Sequence, residues 1–220
     1  MKHLSSLPKS QISGLAIVQG EEFRKNWNIW STPLEKYTAI LDFFPCHPRF
    51  NFREYLAGKL LDARKEGRVL RVLDVGVGTG RQWADIASQN KGVLDLSFTV
   101  YGNLDAVRPY FRDRAFACPA SNLASAFPLG SFDIIVTHYG AHYQLTELII
   151  GAHSLLAPGG EAVLSGMKES KWVRTRKGKV WAYEHVLANC AEYALLAVDP
   201  PPYENKQLHW FLHLKKSIQG

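Results

Sequence analysis

Val69-Leu70-Arg71-Val72-Leu73-Asp74-Val75-Gly76-Val77-Gly78-Thr79-Gly80-Arg81 is the stretch of the chain that says most about its fold. Its apolar first half is typical of a parallel strand that is covered on both faces. The three alternating glycines after Asp74 permit positive φ angles and let a ligand approach the backbone. Amide groups at the start of the next helix would face the carboxyl end of this strand, where open α/β sheets bind ligands. The stretch therefore predicts a buried strand, a sharp turn and a ligand cradle.

The spacing of the glycines excludes two common nucleotide-binding motifs. A dinucleotide fingerprint, G-x-G-x-x-G, needs glycine where Arg81 stands, and the chain contains no G-x-x-x-x-G-K-[ST] P-loop. Asp74-Val-Gly-Val-Gly-Thr-Gly resembles instead the first motif of the class I S-adenosylmethionine (SAM)-dependent methyltransferases, which is an apolar strand, an Asp or Glu, and G-x-G-x-G. The resemblance implies SAM as the cofactor.

The chain after the glycines alternates between helical and strand patterns, which predicts a parallel sheet. We expect helices over 81–90, 105–114 and 144–156, and strands over 96–101, 115–118, 132–137, 161–165, 193–199 and 207–215. The segments 127–136 and 155–164 resemble the family's "P-x-x-G-S-F-D" and "L-x-P-G-G" segments. The resemblance, which covers about 69–215, implies an α/β fold with a doubly wound, seven-stranded, mostly parallel sheet and an antiparallel C-terminal strand.

Length and composition indicate one such domain, over 69–220, because 220 residues of which 46% are hydrophobic supply a single core. No segment has the ~18 consecutive apolar residues of a membrane span, and residues 1–10 lack the apolar region of a signal peptide. We therefore expect a cytoplasmic protein without a membrane partner. Three widely spaced cysteines, Cys46, Cys118 and Cys190, indicate neither a disulfide framework nor a metal site.

An N-terminal extension, 1–68, precedes the domain, with short helices predicted over 22–30, 33–44 and 52–65. In the family that the chain resembles, such an extension folds over the cofactor and forms part of the substrate pocket. Trp27, Trp30 and Tyr37 are therefore candidates for an aromatic lid over the substrate. The alternative is that these aromatic residues only pack the helices on the sheet.

The resemblance also implies how SAM is held. The amides around Gly76, Gly78 and Gly80 suit the methionine carboxylate, and Asp74 either accepts a hydrogen bond from the ammonium group or organises the loop. The other candidate cofactor residues follow the second, third and fourth strands: Asn103 or Asp105 for the ribose, Ser121 and Asn122 for the adenine amine, and His138.

Residues 137–147, after the predicted fourth strand, are the expected place of the chemistry. Methyl transfer depends mainly on holding the nucleophile close to the methyl group and in line with it. A histidine can accept a proton from the nucleophile, and aromatic faces attract a cationic methyl group. The segment resembles the "Q-F-x-x-H-Y-x-F-E" of messenger-RNA cap guanine-N7 methyltransferases, which implies His142, Tyr143 and Tyr139 as catalytic residues. His138 and His142 lack the H-E-x-x-H pattern of a zinc site, so we expect no metal.

A basic segment, 168–179, contains six basic residues and one acidic residue, and so carries +5 of the chain's net charge of +6. Cations interleaved with aromatic residues can hold phosphates and stack bases, and a flexible loop at this place can act as a lid. Lys171, Trp172 and Arg174 are the candidate substrate residues. The segment is equally compatible with an acidic small molecule, or with a solvated loop that only aids solubility.

Three functions remain open from the sequence. The first is a SAM-dependent methyltransferase that acts on a nitrogen or oxygen of a small-molecule metabolite. The second is an RNA methyltransferase, related to the cap enzymes, that binds RNA through segment 168–179. The third is a non-catalytic, SAM-binding partner protein, which the departures from the family pattern near Asp105 and at Ser121 make conceivable.

Overall fold

A computed structural model of the protein describes residues 50–77, 80–100, 104, 107, 109–118, 120–138, 145–167, 172–175, 178–181, 193–199 and 209–218. The predicted helices over 22–30 and 33–44, with the lid candidates Trp27, Trp30 and Tyr37, lie outside these residues. The boundary at residue 68 falls between the first described helix and the first strand. Of the helices in the described ranges, none has the length and apolar character needed to cross a membrane.

The described elements alternate as the sequence predicts. The helices are α1 (Phe52–Lys65), α2 (Ala84–Gln89), α3 (Leu123–Ala126) and α4 (Leu145–Leu155), with short 3-10 helices at Arg81–Trp83, Pro109–Arg114 and Ala120–Asn122. The strands are β1 (Leu70–Val75), β2 (Leu94–Val100), β3 (Ala115–Ala117), β4 (Phe132–His138), β5 (Leu156–Met167), β6 (Trp172–Thr175), β7 (Gly178–Trp181), β8 (Tyr193–Asp199) and β9 (His209–Lys216).

Seven of these strands form one sheet in the order β3-β2-β1-β4-β5-β9-β8. Strands β3, β2, β1, β4 and β5 run parallel to one another. Strand β9 runs antiparallel between β5 and β8. The prediction of a doubly wound, mostly parallel sheet with an antiparallel C-terminal strand is confirmed. Because the strand order reverses between β1 and β4, the sheet has its topological switch point there.

Helix α1 begins and ends as its sequence indicates. The Asn51 side chain accepts hydrogen bonds from the backbone N–H groups of Arg53 at 2.9 Å and Glu54 at 3.2 Å, which caps the first turn. The chain leaves the helix through Gly67, whose φ of +65° favours glycine. The buried residues recur every three or four positions and form the stripe that packs on the sheet: Phe52, Leu56, Leu60 and Ala63.

The two faces of β1 bury different neighbours, because successive side chains of a strand point to opposite faces. Leu73 and Val75 belong to the apolar cluster that includes residues of α4. Val72 belongs to the cluster that contains Phe52 of α1 and Trp83. Asp74 shares the second face by alternation and is buried there. A carboxyl group thus stands at the end of an otherwise apolar row.

Three predicted elements differ from the structure. The predicted helix over 81–90 opens with a 3-10 turn, in which the Trp83 N–H donates to the Gly80 carbonyl oxygen at 3.0 Å. In the predicted helix over 105–114, the described residues Pro109–Arg114 form a 3-10 helix, with proline at its first position, where a missing N–H is tolerated. Segment 168–179, expected to be a flexible loop, contributes to an antiparallel hairpin of β6 and β7.

At the amino edge of the sheet, the Glu161 carboxylate holds α1 against β5 and β9. It accepts hydrogen bonds from the Tyr55 hydroxyl at 2.9 Å and the Lys59 ammonium at 2.6 Å, and His213 Nε2 lies 2.8 Å from it. Desolvation by burial raises the pKa of Glu161, but the hydrogen bonds from His213, Lys59 and Tyr55 outweigh it and hold the pKa at about 2. Desolvation and the neighbouring carboxylate raise the pKa of the Tyr55 phenol well above its ordinary value.

We expect Glu161→Gln to lower the free energy of unfolding by about 1–3 kcal/mol, because it leaves three donors without their charged acceptor. The wild-type contribution is complete above the ordinary pKa of 4.5 and is lost as the pH falls toward about 2. Urea unfolding at pH 7 and at pH 3 measures both effects. The difference between variant and wild type should shrink at pH 3, whereas Glu54→Gln, at an exposed position of the same helix, should change stability by less than about 0.5 kcal/mol at either pH. An equal difference at both pH values would contradict this assignment.

Candidate functional site

The candidate site lies at the carboxyl edge of the sheet, at the switch point between β1 and β4. In open α/β sheets, ligands bind beyond the carboxyl ends of the strands at such a switch point. The predicted residues Asp74 and Gly76 stand at the end of β1, and His138 is the last residue of β4, paired in register with Ser165 of β5. The fold thus brings these positions to one edge, as the sequence predicts.

Asp74 is 1% exposed and is held by a tryptophan. The indole Nε1–H of Trp83 donates to Asp74 Oδ2 at 2.7 Å. Among the described residues, no group completes a hydrogen bond to Asp74 Oδ1, although this oxygen is buried. Desolvation by burial raises the pKa of Asp74 to about 7, against the lowering effect of the Trp83 and Gln82 side chains. Of its two oxygens, therefore, one is bound to the protein and the other has no described partner.

The backbone after Asp74 is tied to β2 by Thr99. The Gly76 N–H donates to the carbonyl oxygen of Thr99 at 3.0 Å and lies 3.2 Å from its hydroxyl, and the Val77 N–H donates to the same carbonyl at 3.0 Å. These two amides are thereby bonded within the protein. Gly78 and Thr79, which follow them in the turn, lie outside the described residues, so the assignment of the glycines to a ligand carboxylate stays a prediction.

The two described glycines of the motif serve the shape of the turn. Gly76 has a φ of +79° and Gly80 a φ of +73°, a region that side chains disfavour. At Gly80 there is a second reason for glycine, because a Cβ atom would lie 3.0 Å from Phe111 Cδ2. The Phe111 ring is buried and therefore has little room to retreat.

Four aromatic rings pack one after another next to the glycine turn. The ring centroids of Phe52 and Trp83 are 6.0 Å apart, those of Trp83 and Phe98 6.5 Å, and those of Phe98 and Phe111 4.9 Å. The row runs from α1 through β2 to Phe111, the ring that a Cβ atom at residue 80 would meet. Trp83, Thr99 and Phe111 are not singled out by the sequence. Thr99 is a polar residue in an apolar strand, and Trp83 and Phe111 are aromatic residues in polar segments, but neither signal reveals a partner.

The carboxyl ends of β1, β4 and β5 are joined by buried hydroxyl groups. The Thr137 hydroxyl donates to the Val75 carbonyl oxygen at 2.7 Å, and the Ser165 hydroxyl donates to the Thr137 carbonyl oxygen at 3.3 Å. These bonds satisfy backbone acceptors at the carboxyl ends of β1 and β4. The second of them lies directly before His138, the last residue of β4.

The adenine candidates, Ser121 and Asn122, lie in the 3-10 helix after β3, directly before α3. Asn122 is exposed, and its side chain makes no capping hydrogen bond to α3. Trp172 and Arg174 lie in β6, and the remaining site candidates fall outside the described residues: Gly78, Asn103, Asp105, Tyr139, His142, Tyr143 and Lys171.

A metal centre has no support in the part of the chain that the structure describes, where no three His, Cys, Asp or Glu residues group together. Cys118 is buried, and burial raises the pKa of its thiol to about 12, which fits a small core residue. Cys46 and Cys190 lie outside the described residues.

Comparison with known proteins supports the fold assignment. No family model and no curated protein matches the sequence. Among solved structures, the chain is similar to the 1,6-didemethyltoxoflavin-N1-methyltransferase of Burkholderia thailandensis with bound 1,6-didemethyltoxoflavin and S-adenosylhomocysteine, with a TM-score of 0.52 at 16% identity over 96% of this chain and 91% of that chain. It is also similar to a SAM-dependent methyltransferase of Mesorhizobium loti, with a TM-score of 0.50 at 16% identity over 67% of this chain and 91% of that chain.

A third similar structure is the CurJ carbon methyltransferase, with a TM-score of 0.48 at 18% identity over 68% of this chain; the chain spans 49% of that structure's length. The strand order, the antiparallel β9 and the first two similarities agree. The protein has the Rossmann-like fold of the class I SAM-dependent methyltransferases.

Gly80→Ala should lower the free energy of unfolding by about 1–3 kcal/mol, because the new methyl group meets Phe111 and the residue must keep a positive φ. The matched control is Gly58→Ala in α1, where a Cβ meets nothing within 4 Å. This control should stabilise the protein by up to about 1 kcal/mol, because alanine has the higher helix propensity. Thermal or urea unfolding of both variants tests the contrast, which fails if the two substitutions change stability in the same direction.

Proposed function

We propose that the protein binds SAM in the crevice between β1 and β4 and transfers its methyl group to an acceptor. The observation that carries the proposal is the buried Asp74, whose Oδ1 has no described partner, at the end of the central strand and directly before the glycine turn. A buried carboxylate oxygen without a donor is costly and marks a place for a cationic ligand group. The fold agrees with that ligand, since two similar structures are SAM-dependent methyltransferases or hold S-adenosylhomocysteine.

The polar groups at this edge of the sheet match the charged groups of SAM. Asp74 offers an acceptor to the ammonium group, and the Gly78 and Thr79 amides are the candidates for the carboxylate. When bound, SAM supplies a methyl group on a positively charged sulfur, so that the acceptor needs only to be placed in line with it. Further along the crevice we assign these candidate contacts: Asn103 or Asp105 to the ribose, Ser121 and Asn122 to the adenine, and His138 to the cofactor.

The segment that follows β4 is proposed to position the acceptor. His142 would accept the proton that a nitrogen or oxygen nucleophile releases, and Tyr139 and Tyr143 would line the approach to the methyl group. Because β4 ends at His138, these residues begin at the same edge of the sheet as Asp74. Trp27, Trp30 and Tyr37 are proposed to close over the substrate from the N-terminal extension.

A small-molecule acceptor is the first choice for the substrate. The similarity to the Burkholderia thailandensis N1-methyltransferase covers nearly all of both chains, and that structure holds its acceptor 1,6-didemethyltoxoflavin together with S-adenosylhomocysteine. Because the two chains share a fold and match over nearly their whole length, we take this similarity as support for transfer to a nitrogen or oxygen of a metabolite. The non-catalytic alternative predicts SAM binding with no transfer to any acceptor.

The β6–β7 hairpin favours an acceptor with negative charge and keeps RNA as the second candidate. Trp172 pairs with Trp181 and Arg174 pairs with Lys179 in the antiparallel register. Directly paired residues and residues two apart share a face of a hairpin, so that these four positions fall on one face. Four residues separate the end of β5 from β6, so Trp172 lies within about 18 Å of the carboxyl edge.

The cofactor assignment is tested with Gly78→Asp. The new carboxylate would stand where the methionine carboxylate of the ligand binds, and we expect the affinity for S-adenosylhomocysteine in calorimetry to fall at least about 100-fold. Ser88→Asp, which adds the same charge at an exposed position of α2, should leave the affinity within about twofold. Circular dichroism confirms that both variants are folded. Undiminished affinity in folded Gly78→Asp would refute the placement of the ligand.

The acceptor assignment is tested with the double variant Arg174→Gln/Lys179→Gln. We expect it to bind a mononucleotide or a short single-stranded RNA at least about tenfold more weakly than wild type at low salt. Lys65→Gln/Lys91→Gln, which removes the same charge at exposed positions away from the hairpin, is the control. Tighter binding of RNA than of the mononucleotide, with a steep salt dependence, supports the RNA enzyme. Equal weakening by both double variants would show that only net charge matters.

A further inference from the structure

Trp83 donates a hydrogen bond to one oxygen of the Asp74 carboxylate and makes no bond to the other oxygen. The indole is fully buried, with an exposed fraction of 0%, and its Nε1–H donates to Asp74 Oδ2 at 2.7 Å. An indole has this single donor and no acceptor, so the bond has one possible direction. Since rings of α1 and β2 contact the indole from two sides, through Phe52 and Phe98, its orientation is set by packing.

This fixed donor also sets the rotation of the carboxylate. With Oδ2 bound to Trp83, Oδ1 takes the opposite position, where it is buried and has no partner among the described residues. The Gln82 side chain lies near Asp74 and lowers its pKa, while its Nε2 donates to the Val77 carbonyl oxygen at 2.9 Å, and Oδ1 is left without a completed hydrogen bond among the described residues. A buried carboxylate oxygen that lacks a donor costs free energy, and a cationic donor supplied by a ligand would recover it.

We infer that Trp83 is a positioning residue for cofactor selectivity, which turns Asp74 so that Oδ1 accepts a hydrogen bond from the α-ammonium group of SAM. The inference rests on the proposed function. The inference adds two points to that function. It assigns recognition of the ammonium group to the pair Trp83 and Asp74, and it gives each oxygen of the Asp74 carboxylate a separate partner. Trp83 itself touches no ligand in this arrangement.

The test compares the affinities of two ligands, first for the wild-type chain and then for a variant. Calorimetry measures the affinity of the full chain for S-adenosylhomocysteine and for the analogue in which hydrogen replaces the α-ammonium group. We expect wild type to prefer the complete ligand by at least about tenfold, as hydrogen bonds between charged groups do. In Trp83→Phe, which keeps an aromatic ring but loses the N–H, the preference should fall below about threefold. A role in packing alone would weaken both ligands by the same factor and leave the preference unchanged.

Phe52→Leu is the matched control. It disturbs the ring contact of Trp83 with α1 but leaves the indole N–H and Asp74 in place. We expect its preference for the complete ligand to stay within about twofold of wild type. Asp74→Asn, in contrast, removes the charged acceptor and should lose the preference as Trp83→Phe does.

The outcomes separate this inference from the proposed function. If wild type binds neither ligand, both are overturned. If wild type binds S-adenosylhomocysteine but Trp83→Phe retains the full preference for it, only the inference fails. Should Trp83→Phe not fold, the indole ¹⁵N–¹H resonance of Trp83 in the wild-type chain replaces it. That resonance should shift on addition of the complete ligand and stay in place with the analogue, and an equal shift with both would overturn the inference.

Discussion

The hydrogen bond between the Trp83 indole and the Asp74 carboxylate is the interaction on which the candidate site depends. An acidic side chain at the end of a buried strand is unfavourable unless a donor meets it. Trp83 provides that donor through a tight 3-10 turn that folds back beneath the strand end. The same indole contacts α1 and β2, so that the packing of the domain determines how the carboxylate is presented.

Polar side chains have different roles at the two edges of the sheet. At the carboxyl edge, Thr99, Thr137 and Ser165 form hydrogen bonds with backbone groups at the ends of the strands and in the turn after β1. At the amino edge, Glu161 is fully supplied with donors and joins α1 to the sheet. Asp74 differs from Glu161 because only one of its oxygens has a described donor. That contrast separates a structural carboxylate from one that is suited to a ligand.

The parallel strands and their order of appearance could be predicted from the sequence, because a buried strand reads as a continuous apolar run with turn residues at its ends. The segments between the strands could be predicted less well. Residues 109–114 were assigned to an α-helix although they form a 3-10 helix, and the basic segment was expected to be a loop although β6 and β7 pair there. Charge is a poor guide to pairing, since the hydrogen bonds of a hairpin are made by the backbone and not by the side chains that carry the charge.

The sequence by itself determined the class of fold and the location of the candidate site, because the periods of strand and helix and the spacing of the glycines are local properties of the chain. Only the tertiary structure decided which groups at that site are already satisfied. Thr99 is 23 residues from Gly76 and Trp83 is 9 residues from Asp74 in the chain. No local pattern encodes these contacts, since they arise when β1, β2 and α1 are packed together and each buried polar group must find a partner.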